Sequence, residues 1–209
     1  MANDPKAIMK RRVVVTGMGV LSPIGNTLAA FRENLKQGVC GKAPGEYVTA
    51  EGYRFPPVFP VRDFDSRQNA TQKLDPFIQY AVAAAEQAVA DAGMDLNRVD
   101  PYTVALSVSS SKGGVQSLSQ LAGRFRKTPS AILGARLYTS AMPDLAGQWI
   151  ARRMKVRGPA QCYVAACTTG TVAIIQGFRM VSEGQAEYCL AGATDASLSS
   201  LMLAGYQNM

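Results

Sequence analysis

An α/β fold with a mostly parallel sheet is predicted by three features of the sequence. Short β-branched or apolar runs alternate with segments of helical period, most cleanly over residues 157–199. Hydrophobic residues make up 47% and charged residues 18% of the 209, which suits one globular domain with a sizeable core. No window approaches ~18 consecutive apolar residues, which excludes a membrane span.

Arg12–Thr16 is a β-branched run closed by Gly17 and Gly19 and reads as a buried strand. Asn26 or Thr27 caps a short helix through about Lys36, ended by Gly38. Residues 38–72 mix Gly, Pro and aromatics without period and read as a long surface excursion, a feature that is often functional. The clearest helix runs from Pro76 to Ala92, with Asp75 as N-cap, Pro76 in the first helical position and Gly93 as the stop. Ile78, Ala81, Val82, Ala85, Ala88, Val89 and Ala92 form its small, close-packing face. Tyr102–Val108 reads as a strand, residues 109–114 (SSSKGG) as a tight turn, and a helix follows to about Gly123. Another helix covers roughly Asp144–Met154. The last part alternates: strand Gln161–Ala165, helix Thr169–Ser182 stopped by Gly184, and strand Glu187–Ala191. The whole of 1–209 reads as one α/β domain.

The chain contains no histidine, so catalytic triads and dyads that use imidazole and metal sites that need it are excluded. Its four cysteines, Cys40, Cys162, Cys167 and Cys189, form no C-x2-C pair and no disulfide scaffold. The opening residues lack a secretory signal, so a reduced cytoplasmic protein with free thiols is expected. The net charge of +7 is uneven. Lys6, Lys10, Arg11 and Arg12 stand against Asp4, and Arg124, Arg126, Lys127, Arg136, Arg152, Arg153, Lys155 and Arg157 stand against Asp144 alone. Such a cluster attracts an acidic partner or serves solubility. Nucleic acid is disfavoured, because only Phe125 interleaves the charges and no binding motif is present.

Cys167 carries the sharpest chemical signal. It falls where a predicted strand gives way to a helix, and the free N–H groups and dipole of a helix's first turn favour a thiolate there. Ala165, Ala166 and Gly170 let a substrate carbonyl approach the backbone, and the Cys167 N–H is placed to donate to an oxyanion. Cys40, Cys162 and Cys189 read as small buried residues, the last two inside strands.

Four segments resemble the β-ketoacyl-acyl-carrier-protein synthases, the elongating condensing enzymes of fatty acid and type II polyketide synthesis. They are VVVTGMGVLSPIGN at 13–26, LDPFIQYAVAAAEQAVADAG at 74–93, RGPAQCYVAACTTG at 157–170 and AEYCLAGATDASLS at 186–199. The resemblance implies a thiolase-like fold, in which two similar α/β halves build a layered α-β-α-β-α monomer within a dimer. It implies that Cys167 takes an acyl chain as a thioester from carrier-protein phosphopantetheine, after which a carbanion from malonyl-carrier protein attacks that thioester. No resident cofactor is implied, since phosphopantetheine arrives on the carrier protein. The implied partners are acyl carrier protein and a second ketosynthase-type chain, in a homodimer or heterodimer. Arg124, Arg126, Lys127, Arg152 and Arg153 become candidates for docking the acidic carrier, and Lys112 and Thr168 for lining the substrate pocket.

Two departures from the family qualify this picture. Its chains are usually twice as long, with two catalytic histidines in the second half, so the resemblance makes these residues the first half of the fold. Decarboxylation needs donors to the malonyl thioester oxygen, and without the histidines this chain alone is not expected to condense anything. Lys112 stands where elongating enzymes usually carry an apolar residue gating the acyl pocket, which argues for a specialised acyl chain. The competing reading is a non-catalytic partner like the chain-length subunits of polyketide synthases. Those usually replace the cysteine with glutamine, so Cys167 favours the enzyme.

Overall fold

The computed structural model describes residues 11–45, 48, 54–68, 70–128 and 137–209. Parts of the 38–72 excursion, the terminal Lys6 and Lys10, and Arg136 lie outside the described residues.

A three-stranded parallel sheet sets the framework. Its central strand is β1 (Val104–Ser109), flanked by β2 (Ala160–Gln161) and β3 (Tyr188–Ala193). Side chains alternate across β1, as the two-residue period of a strand requires. Val104, Leu106 and Val108 enter a core with Phe77, Ile78, Ala81, Val82 and Ala85 of α2 (Pro76–Asp91) and Leu145, Ala146 and Ile150 of α5 (Leu145–Met154). Ala105 faces the other way, toward Met180 of α6 (Thr169–Ser182) and Cys189. The result is α2 and α5 on one face of the sheet and α6 on the other, matching a half of the five-layered thiolase-like architecture. Gly177 makes the α6 contact close: an added Cβ would stand 2.8 Å from Ala191 Cβ and 3.1 Å from Cys189 Sγ. The opposite side of α6 leaves Ile174, Ile175 and Phe178 exposed.

Capping explains where the helices begin and end. The Asp75 carboxylate accepts from the Phe77 N–H at the start of α2, Pro76 occupies the first helical position, and Gly93 turns the chain at φ +60°. Thr27 caps α1 (Leu28–Lys36), and Gly38 and Gly184 take left-handed φ after α1 and α6.

Several elements differ from the sequence expectation. Arg12–Thr16 joins no sheet among the described residues, and Val14 and Val15 are exposed. Its neighbours are held by α2 side chains instead: the Met18 N–H donates to Asp91 and the Val20 N–H to Gln87. Gly17 and Gly19 let this backbone lie against α2, where a Cβ would collide with the carbonyls of Ala88 and Ala84. Tyr102 and Thr103 form a 3-10 turn before β1, capped by Asp100. β2 spans two residues rather than five, because the chain leaves the sheet after Gln161 to build the turn before α6. α3 (Val115–Lys127) runs through Gly123, and a short α4 (Tyr138–Ala141) and α7 (Ser200–Gln207) are additional, the latter capped by Ser199. Among the described residues no helix is long and apolar enough to cross a membrane.

Candidate active site

The carboxyl ends of parallel strands are where an open α/β sheet gathers ligand-binding groups, because each strand there hands over to a loop. Here β1 delivers Ser110, Ser111 and Lys112, the chain after β2 delivers Cys167, and the chain after β3 delivers Asp195.

Cys167 lies in a single 3-10 turn, Ala166–Thr168, between β2 and α6. Ala166 has φ +47°, a left-handed conformation that costs a non-glycine residue about 1 kcal/mol or more. Hydroxyls hold the turn: Thr168 Oγ1 donates to the Ala165 carbonyl at 2.7 Å, Thr169 Oγ1 donates to the Ala166 carbonyl at 2.8 Å, and the Ala165 N–H donates to Thr169 Oγ1 at 3.0 Å. This bend exposes the Cys167 thiol immediately before the first turn of α6. The Thr168 hydroxyl proton is engaged within the turn.

The other cysteines differ in setting. Cys162, expected inside a strand and buried, follows β2 at the sheet edge and is exposed, its thiol 3.0 Å from Ser109 Oγ. Cys40 is exposed as well, not buried. Cys189 sits in β3 beneath α6, and burial pushes its thiol up to about 11. Among the described residues no cluster of three or more Cys, Asp or Glu could hold a metal ion.

Lys112 is fixed in a polar cluster that links the ends of two strands. Its Nζ donates to Ser111 Oγ at 2.8 Å, lies 3.8 Å from Asp195 Oδ2 and stands 5.9 Å from the centroid of the Tyr206 ring on α7. Asp195 in turn accepts from Ser110 Oγ at 2.9 Å and Ser111 Oγ at 2.6 Å. Partial burial works against the ammonium, but Tyr206, Asp195 and the nearby Cys167 outweigh it and hold Lys112 above the ordinary lysine value. Asp195, Ser110 and Tyr206 went unnoticed in the sequence, because a separation of 85 residues between Ser110 and Asp195 leaves no periodic signal. A cavity of about 420 Å³ adjoins Asp195, bounded by Phe59 and Val61 of the excursion, Tyr80 of α2, Gln116 of α3 and Leu198.

The basic residues fall on two helices. Arg124, Arg126 and Lys127 occupy the last turn of α3, exposed and well placed against the negative end of its dipole. Arg152 and Arg153 end α5, where Arg152 lies over the Trp149 ring at 5.3 Å and Arg153 Nε pairs with Glu86 Oε1 at 2.8 Å.

Residues 10–209 match the family described as Beta-ketoacyl synthase, N-terminal domain. The chain belongs to the β-ketoacyl synthase family. This synthase domain is 30% identical over 200 residues to 3-oxoacyl-[acyl-carrier-protein] synthase 2 of Staphylococcus aureus (strain COL), covering 94% of the chain and 48% of that relative. It is 31% identical over 202 residues to the protein of the same name from Synechocystis, again covering 94% and 48%. The domain therefore spans about half the length of the curated relatives it matches. The ishigamide ketosynthase/chain length factor superposes on it with a TM-score of 0.87 at 25% identity, over 95% of this chain and 51% of that one. A β-ketoacyl synthase from Burkholderia phymatum shares the fold with a TM-score of 0.80 at 24% identity, over 96% and 50%. So does a type II polyketide ketosynthase solved in complex with its acyl-carrier protein, with a TM-score of 0.81 at 22% identity, over 95% and 55%.

Proposed function

We propose that these residues form the nucleophile-bearing half of a 3-oxoacyl-[acyl-carrier-protein] synthase of fatty acid or type II polyketide synthesis, with Cys167 as the acyl acceptor. The observation that carries the reading is the position of Cys167, exposed on a bend at the carboxyl edge of the sheet and at the head of α6. In the proposed step Cys167 Sγ attacks the carbonyl carbon of an acyl thioester on carrier-protein phosphopantetheine. The carbon–sulfur bond to the pantetheine breaks, and the proton from Cys167 ends on the released pantetheine thiol. The Cys167 N–H is the donor assigned to the oxyanion of that step, since the Thr168 and Thr169 N–H groups are engaged by the Ala165 and Ala166 carbonyls.

Condensation asks for more. Loss of carbon dioxide from a malonyl thioester leaves an enolate that needs donors or a positive charge. Without histidine in its 209 residues, the chain is assigned acyl transfer, and the enolate donors are assigned to a histidine-bearing half. The apolar row Ile174, Ile175 and Phe178 on α6 suits the face such a half would cover. The acidic carrier is assigned to the cations of α3 and α5, and Arg124, Arg126, Lys127 and Arg152 are better suited than Arg153, which Glu86 already engages.

The similarity to a ketosynthase/chain length factor supports a second reading, a non-catalytic subunit that shapes a pocket beside a ketosynthase. Retention of Cys167 favours the enzyme. Condensation assayed on the protein purified from its source, with Cys167→Ser introduced in its gene, separates the two. The enzyme reading expects 3-oxoacyl-carrier protein from the wild type and none from the variant. Equal product from both contradicts it.

A further inference from the structure

We infer that Lys112 selects the acyl group loaded on Cys167, favouring chains that carry a hydrogen-bond-accepting oxygen near the thioester over plain hydrocarbon chains. This rests on the reading of Cys167 as the acyl acceptor.

Lys112 follows β1 and Cys167 follows β2, and the two strands are parallel neighbours, so both residues reach the same edge of the sheet. The electrostatic influence of Cys167 reaches the Lys112 ammonium, which a thiolate there would favour.

The ammonium is also restrained. Ser111 Oγ accepts from it at 2.8 Å, and Asp195 Oδ2 lies 3.8 Å away. Asp195 is fixed by two serine hydroxyls, and the fully buried Ser110 also accepts the Gly113 N–H at 2.9 Å. With its side chain only 25% exposed, Lys112 cannot swing freely into solvent as a surface lysine does. An alkyl chain laid against it would strip water from a charge and return no hydrogen bond. A keto or hydroxyl oxygen would replace that water and accept from Nζ.

The neighbouring cavity points the same way. Asp195 belongs both to the Lys112 cluster and to the cavity wall, where Gln116 and Ser197 add further polar groups.

The test is competitive loading of the protein purified from its source, using octanoyl-pantetheine and 3-oxo-octanoyl-pantetheine. The readout is the mass of the Cys167-containing peptide. Wild type is expected to prefer the oxygenated thioester on the order of tenfold, the discrimination of one charge-assisted hydrogen bond. Lys112→Met is expected to lose or reverse that preference, and Lys112→Arg to keep most of it. Should Lys112→Met fail to fold, Lys112→Gln carries the same test and is expected to lose most of the preference. The same ratio in wild type and the uncharged variant overturns the role of Lys112 and leaves Cys167 as the acceptor. No adduct on wild-type Cys167 from either thioester overturns the acceptor reading, and this inference with it.

Discussion

Removing the Asp75 carboxylate should loosen the turn that presents Lys112. Asp75 is 1% exposed, and its two oxygens serve two helices. Oδ1 accepts the Phe77 N–H at 3.2 Å in α2, and Oδ2 accepts the Ser117 N–H at 2.9 Å in α3. Gly114 lies against the same carboxylate, where a Cβ would stand 3.1 Å from Oδ2. Asp75→Ala removes a cap worth about 1 kcal/mol and orphans a second buried N–H at about 1–3 kcal/mol, so a loss of about 2–4 kcal/mol is expected. Asp75→Asn keeps one acceptor and should cost less.

The pH dependence has a definite sign. Burial raises the Asp75 carboxyl above 3.8, outweighing the hydrogen bonds from Ser117 and Phe77. Between the unfolded value and the raised folded value the native state holds the extra proton, so stability falls as pH rises through that window. Urea unfolding of wild type, Asp75→Ala and Asp75→Asn from pH 4 upward reads this directly. The wild-type advantage over Asp75→Asn should be largest at the acid end and shrink as pH rises. An Asp75→Ala variant as stable as wild type would refute the double-cap argument, and an advantage that grows with pH would refute the dominance of burial over the two hydrogen bonds.

Other outcomes are expected from the same structure. Gly177→Ala should destabilise by about 1–3 kcal/mol in thermal or urea unfolding, because its methyl group meets Ala191 and Cys189 at 2.8 and 3.1 Å and overpacking outweighs the helix-propensity gain. Ala166→Gly should stabilise by up to about 1 kcal/mol by relieving the φ of +47°, and Ala166→Val should destabilise, both read by thermal unfolding. Iodoacetamide at pH 8, followed by peptide mapping, should modify the exposed Cys167 well before Cys189, whose thiol is buried and pushed up to about 11. Reversing Arg126 and Lys127 to Glu should weaken binding of acyl carrier protein severalfold at low salt, with the difference shrinking as salt is added. Equal affinity would return these cations to solubility.

Local chemistry made much of this fold legible in the sequence. The bounds of α1, α2 and α6 follow from Thr27, from Asp75 with Pro76, and from the glycines that stop each helix, signals that act within one turn. The same is true of Cys167, whose place between a strand and a helix is a local property of the segment around it. What stayed hidden depends on partners distant in sequence. Val13–Val15 has the composition of a strand but pairs with no described strand, and Asp91 and Gln87 of α2 take its neighbours' N–H groups. Cys162 looked buried because β2 looked longer, whereas the strand ends one residue before it. The Lys112–Asp195–Tyr206 cluster joins three loops and helices that only the folded sheet brings together.

The most direct test of the central claim is a peptide map of the purified protein after incubation with acyl-carrier protein bearing a thioester-linked acyl chain. The account predicts an acyl adduct on the peptide that contains Cys167, absent from the Cys167→Ser variant and absent from the peptides of Cys40, Cys162 and Cys189. An adduct on another cysteine, or none on Cys167 while the carrier protein remains loaded, would contradict it.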